Sequence, residues 1–172
     1  MTTFRTQQWV PFDVEQVFLF FANPHNLLLL MPEEQQARLE SLEIVPPPAR
    51  ESGTQPGTNT VAAGTGTEIL ISFRPVPWMP VRVRWLARIG DFVWNSHFCD
   101  EQVRGPFAQF RHCHRMRAER LSGAWGTLVI DEIQYSLPFG IAGLLVSGLV
   151  QERLESLFAE RQARLTNLIA AS

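Results

Sequence analysis

The sequence predicts an α+β domain in which a curved antiparallel sheet wraps around one long C-terminal helix. Three observations predict it: segments of period-two alternation run in succession from Thr67 to Leu137, helical periodicity is confined to a short stretch near the start and a long one at the end, and Gly or Pro marks most junctions. At 172 residues and 45% hydrophobic content the chain has material for one core, so residues 1–172 read as a single domain.

Thr3 to Val10 mixes β-branched, aromatic and polar residues and stops at Pro11, as an edge strand does. Asp13 then offers an N-cap. Val14, Val17, Phe18 and Phe21 recur at helical spacing until Asn23-Pro24 breaks the helix, and a second short helix ends near Met31-Pro32. Ala37 to Val45 alternates loosely before Pro46-Pro47-Pro48, and a loop rich in Gly, Thr and Pro runs to about Gly66. Loops beyond about 12 to 15 residues in a compact domain are lids, binding loops or floppy insertions, and both a gate and an insertion fit this one.

Five alternating segments follow: Thr67 to Arg74, Met79 to Ile89, Phe92 to Cys99, Phe107 to Arg120 and Trp125 to Leu137. A two-residue turn at Gly90-Asp91 would pair Ile89 with Phe92, Ala87 with Trp94, Trp85 with Ser96 and Val83 with Phe98. The same reasoning at Ser122-Gly123 pairs Met116 with Val129, His114 with Asp131, His112 with Ile133 and Phe110 with Tyr135. That register turns Arg111, Cys113, Arg115 and Arg117 outward. A slip of one residue would bury three arginines in a row, which costs far more than burying neutral histidine. Pro138-Phe139-Gly140 closes the last strand, and Ile141 to Ala170 reads as one amphipathic helix. Its apolar stripe is Leu145, Leu149, Leu154, Leu157, Phe158, Leu165 and Leu168, while Glu152, Glu160, Arg161 and Arg164 decorate the remainder. Gly143, Ser147 and Gly148 either leave a cavity beneath this helix or let its backbone pack closely on the sheet.

Composition excludes several roles. The formal net charge of −2 offers no field for nucleic acid, although the 15 basic side chains are all arginine. Arg82, Arg84, Arg88, Arg111, Arg115 and Arg117 form an outer stripe that could meet an acidic partner, but without interleaved aromatics it does not suit nucleic acid, and a solvated face is the favoured reading. Leu86 and Ile130 on that face would suit a homodimer contact. No apolar run approaches the roughly 20 residues of a membrane span, and the start MTTFRTQQWV lacks a signal core. Cys99 and Cys113 read as reduced thiols of a cytoplasmic protein, with a bridge left open, and Cys113 as a surface thiol between Arg111 and Arg115.

The run Asp100-Glu101-Gln102-Val103-Arg104-Gly105-Pro106-Phe107, then His112-Cys113-His114, Asp131, Tyr135 and Leu137-Pro138-Phe139-Gly140, joins this order of elements. Together they resemble the SRPBCC or START-like superfamily, in its polyketide-cyclase-like bacterial branch, over nearly the whole chain. The resemblance implies the helix-grip fold. Carriers and enzymes share that fold, so it does not decide chemistry.

The hairpin of Phe107 to Gly140 carries the candidate site, because convergent polar groups in an apolar surface are what a small-molecule pocket requires. Phe73, Trp85, Trp94, Phe98 and Phe110 would line it, with Leu149 from the helix. His112, His114, Asp131 and Tyr135 would orient a carbonyl or hydroxyl of a hydrophobic ligand such as a lipid, polyketide or isoprenoid. Alternatively His114 with Asp131 is a general base and Tyr135 an acid for cyclisation or dehydration, or the same groups form a satisfied core network. His112, His114 and Asp131 are a weak ligand pattern with Cys113 facing away, so neither metal nor cofactor is expected.

Overall fold

The computed structural model describes residues 1–50, 61–76, 78, 80–138 and 141–172, with the backbone alone for 141–147. Strand β1 (Thr2–Val10) leads to Asp13, whose carboxylate accepts the Glu15 N–H and caps α1 (Val14–Ala22). Asn23 ends α1, a 3-10 turn spans Pro24–Asn26, and α2 (Leu27–Leu30) follows. Then come β2 (Arg38–Glu43), β3 (Glu68–Phe73), β4 (Val83–Val93), β5 (His97–Arg104), β6 (Gln109–Leu121), β7 (Ala124–Ser136) and the long α3 (Ile141–Ala170). All seven strands form one antiparallel sheet in the order β1-β7-β6-β5-β4-β3-β2, so the first strand closes against the last.

The β6–β7 hairpin has the register expected from its sequence: Met116 faces Val129, His114 faces Asp131, His112 faces Ile133 and Phe110 faces Tyr135. Ser122 and Gly123 both take positive φ, 50° and 89°, which the tight turn requires and which glycine adopts without a Cβ penalty.

The expected turn at Gly90-Asp91 is corrected. Strand β4 runs through both residues, a bulge between Ile89 and Asp91 absorbs Gly90, and the chain reverses at Trp94–Ser96 with Asn95 at φ 54°. Phe92 therefore pairs with Phe98 and Ile89 with Asp100. Bulges bend a strand and re-aim its side chains, and this one leaves Asp100 opposite His112.

Cysteine state is corrected too. Cys99 and Cys113 lie directly opposite each other on β5 and β6 with Cα atoms 4.1 Å apart, and they are joined in a disulfide. Neither is a surface thiol, for they are 0% and 1% exposed. Sequence patterning sets no register between these two strands, so their meeting is not visible in it. Localisation in the cytoplasm loses the support that reduced thiols would give it.

Two apolar clusters fill the space between sheet and helices. One joins α1 to the far end of α3 through Val10, Val17, Phe18, Phe92, Met116, Val129, Leu165 and Ile169. The other gathers Phe4, Ile133, Tyr135 and Phe158, with Phe107, Phe110, Val150 and Leu154 packed against it. Leu149 is 64% exposed, so the buried stripe of α3 passes through Val150 and Leu154 instead. Within the loop from Pro46 to Gly66, residues 51–60 lie outside the described ones. Its ends are held by Ala63 N–H to Ala22 O (2.9 Å), Gly64 N–H to Val45 O (2.8 Å) and Gly66 N–H to Ile89 O (2.8 Å). No helix among the described residues is long and apolar enough to cross a membrane.

Candidate functional site

A buried polar cluster lies between the two apolar ones. Strand alternation sends His112 and His114 of β6, Asp131 of β7 and Asp100 of β5 to the face that meets α3. The helix adds Arg161, which is only 8% exposed. Asp131 Oδ1 accepts from His114 Nδ1 at 2.6 Å, His112 Nε2 at 3.1 Å and Arg161 Nη2 at 3.4 Å. The Arg161 guanidinium also stacks over Phe21 and Phe158, at 4.9 and 5.1 Å from the ring centres.

Since Asp131 accepts from both imidazoles, the hydrogens sit on His114 Nδ1 and His112 Nε2 in the neutral rings. The other nitrogens, His114 Nε2 and His112 Nδ1, then carry lone pairs. Each is 3.9 Å from Asp100 Oδ1, beyond hydrogen-bond reach.

Charge follows from these contacts. Burial alone would raise the Asp131 carboxyl, but the Arg161 charge and the bonds from His112 and His114 outweigh it and hold Asp131 well below the usual carboxylate range. Burial, reinforced by repulsion from His112, pushes His114 down to about 3, so its imidazole is neutral at physiological pH. Burial raises Asp100, with His112 opposing. Its side chain keeps 22% exposure.

Toward the sheet end the cluster adjoins a packed aromatic basin. Trp85 packs edge-on to Phe110 at 4.6 Å and touches Phe107 and Phe73 at 5.6 and 6.1 Å, while Phe107 meets Tyr135 at 5.7 Å. Phe73, Trp85, Phe107 and Phe110 are half-buried, so part of this aromatic surface meets solvent. Tyr135 is 1% exposed, and its hydroxyl finds no hydrogen-bond partner among the described residues. Burial raises its pKa, so it stands as a neutral donor.

The predicted lining divides between two ends. Phe98 packs on His114 at 4.7 Å, inside the α1 cluster. Trp94 leaves the site altogether: it packs on Phe18 and Phe92, and Arg50 stacks on it at 4.3 Å. Its indole N–H donates to Pro48 O at 2.7 Å. Leu149, at the surface, is removed from the site. Gly143 and Ser147, read as a cavity hint, lie outside the described side chains, and a Cβ at Gly148 would meet open space. The described residues show two surface clefts, of about 470 Å³ between β1 and α3 and about 420 Å³ beside Trp125. On the outer sheet face Arg88 pairs with Glu68, Arg111 with Glu101 and Arg117 with Glu119, as in a solvated face.

Asp100, Phe107 and Arg161 belong to the site and are absent from the predicted set. Arg161 carries a signal, since it lies three residues after Phe158 and four before Leu165 on the buried stripe. The Asp100-to-Phe107 motif now has a structural account. Gln102 Nε2 donates to Phe107 O at 2.8 Å and its Oε1 accepts Phe107 N–H at 3.2 Å, fixing the turn that delivers Phe107 to the basin. A Cβ on Gly105 would lie 2.3 Å from Gln102 Oε1, so only glycine lets that side chain close over the turn.

No protein-family model and no curated protein matches the chain. Solved structures do. It is similar to the protein TTHA0849 of Thermus thermophilus (24% identity, 99% of each chain covered, TM-score 0.62). It is similar also to a START superfamily protein of Mycobacterium smegmatis (12%, 96% of this chain and 98% of that one, TM-score 0.60). Norcoclaurine synthase of Thalictrum flavum, solved in complex with dopamine and hydroxybenzaldehyde, matches at 13% over 95% of this chain and 85% of that one, with TM-score 0.58. With its seven-stranded antiparallel sheet, short helices after the first strand and long C-terminal helix, the chain has the START-like helix-grip fold.

Proposed function

We propose that this protein is a carrier or sensor that binds a hydrophobic small molecule, such as a lipid, polyketide or isoprenoid, against Phe73, Trp85, Phe107 and Phe110. The Tyr135 hydroxyl carries the reading. A buried phenol without a partner costs about 1 to 3 kcal/mol, and a ligand carbonyl or hydroxyl arriving in the basin would recover that cost. Asp100 and His112 stand at the inner end of the basin to receive a second polar group. The fold admits such cargo elsewhere, since norcoclaurine synthase holds two small aromatic molecules.

A cyclase or dehydratase reading rests on the His114–Asp131 pair, whose 2.6 Å bond leaves Nε2 as a free lone pair. An imidazole with a pKa of about 3 is a weak base at neutral pH, which favours binding over catalysis. Native mass spectrometry of the protein purified from its own host tests the binding reading: a retained apolar molecule is expected, with weaker retention by Tyr135→Phe. Substrate turnover abolished by His114→Asn and Asp131→Asn, with ligand affinity kept, would replace the carrier by the enzyme.

A further inference from the structure

We propose that Asp100, His112 and His114 form a site for a first-row divalent transition-metal ion, with Asp131 as the shared partner that orients both imidazoles. This site uses Asp100 where the sequence pattern offered Asp131; it does not require the ligand reading, although it shares Asp100 and His112 with it.

Three atoms of metal-binding type converge. His112 Nδ1 and His114 Nε2 each lie 3.9 Å from Asp100 Oδ1, and the three ligand atoms fall within 4.8 Å of one another. Around an ion at about 2.1 Å from each, tetrahedral ligands stand about 3.4 Å apart, so each Asp100–histidine distance must close by about half an ångström and the nitrogen–nitrogen distance, at most 4.8 Å, by no more than about 1.4 Å. Rotation of the half-buried Asp100 carboxylate, which has no hydrogen bond to either imidazole, can supply part of that shift.

The outer layer is already built. Asp131 accepts the second N–H of both histidines, which fixes their tautomers and leaves the opposite nitrogens as ligands, the arrangement that metal-binding histidines use. Arg161 bonds to Asp131 and offsets that carboxylate's charge, leaving Asp100 as the anionic ligand. Two imidazoles and one carboxylate select zinc, iron or a similar ion over magnesium or calcium, which take mainly oxygen. Three protein ligands leave a coordination position, and the 22% exposure of the Asp100 side chain marks its open side.

The test uses the intact wild-type protein, stripped with chelator and dialysed against Zn²⁺, with metal content measured by mass spectrometry and histidine ¹⁵N shifts by NMR. One Zn²⁺ per chain is expected, with shifts at His112 Nδ1 and His114 Nε2 and none at His25. Asp100→Asn should weaken Zn²⁺ at least tenfold, and Asp131→Asn by about 10- to 100-fold. Circular dichroism establishes that each variant is folded, and the wild-type measurement decides the matter if one is not. Absence of Zn²⁺ uptake by the wild type, or uptake that leaves the His112 and His114 shifts unmoved, would overturn the proposal.

Discussion

Replacing Arg161 by Met removes the only side-chain cation bonded to Asp131 among the described residues while keeping most of the aliphatic stem that packs between Phe21 and Phe158. Asp131 is 4% exposed, so the carboxylate left behind stays buried with two imidazole N–H donors and without its guanidinium partner. Removing one partner of a buried ion pair costs about 3 to 5 kcal/mol, and the two remaining bonds from His112 and His114 place this case at the low end, about 3 kcal/mol. Such a loss is a large share of the stability of a domain this size. Urea unfolding at pH 7, followed by circular dichroism, measures it as a lower midpoint at unchanged slope. Adding Asp131→Asn to the variant should return part of the loss, because the uncompensated charge disappears. A cost below about 1 kcal/mol would mean that the pair behaves as an exposed one, and would refute the buried network.

Three further outcomes follow from the same contacts. His114 has a folded pKa of about 3 against 6.5 unfolded, so the unfolded chain binds its proton first as pH falls, and stability should drop below about pH 6.5 by up to about 1.4 kcal/mol per unit. Asp131, held low, adds to that loss only below about pH 4, while Asp100, held high, opposes it; unfolding curves that stay flat from pH 7 to 4.5, or a slope unchanged in His114→Asn, would contradict the assignment. The disulfide closes a short loop between residues 14 apart, so Cys113→Ala, or reduction, should cost about 3 kcal/mol, with peptide mapping under non-reducing conditions showing the linked pair. Gln102→Ala frees the Phe107 backbone and should cost about 1 to 2 kcal/mol in a thermal melt and weaken apolar ligands, whereas an unaltered melt would show that the turn holds itself.

What could be read from sequence was local or periodic. The β6–β7 register followed from Ser122-Gly123 and from the cost of burying Arg111, Arg115 and Arg117, and it placed His114 against Asp131 correctly. Helix α3 over Ile141–Ala170 followed from its periodicity and the Pro138–Gly140 stop. Gly90-Asp91 misled because glycine serves bulges as well as turns; here Asp91 belongs to the strand and is held by His97 at 3.1 Å. The Cys99–Cys113 bridge was hidden separately, because no sequence signal sets the β5–β6 register, while Asp100 shares the inward face of Phe98 two residues before it. Arg161 was hidden for a different reason. Its charge assigned it to solvent, and Asp131, 30 residues earlier in sequence, offsets the penalty of burying it.

Whether the aromatic basin ending at Tyr135 holds an apolar molecule is best settled by chemical-shift mapping during titration with an apolar fluorescent probe. Saturable shifts are expected at Trp85, Phe107, Phe110 and Tyr135, with Trp9 and Trp125 unmoved and affinity reduced in Tyr135→Phe. Shifts confined to the cleft beside Trp125, or a probe that saturates no site at all, would contradict the binding role.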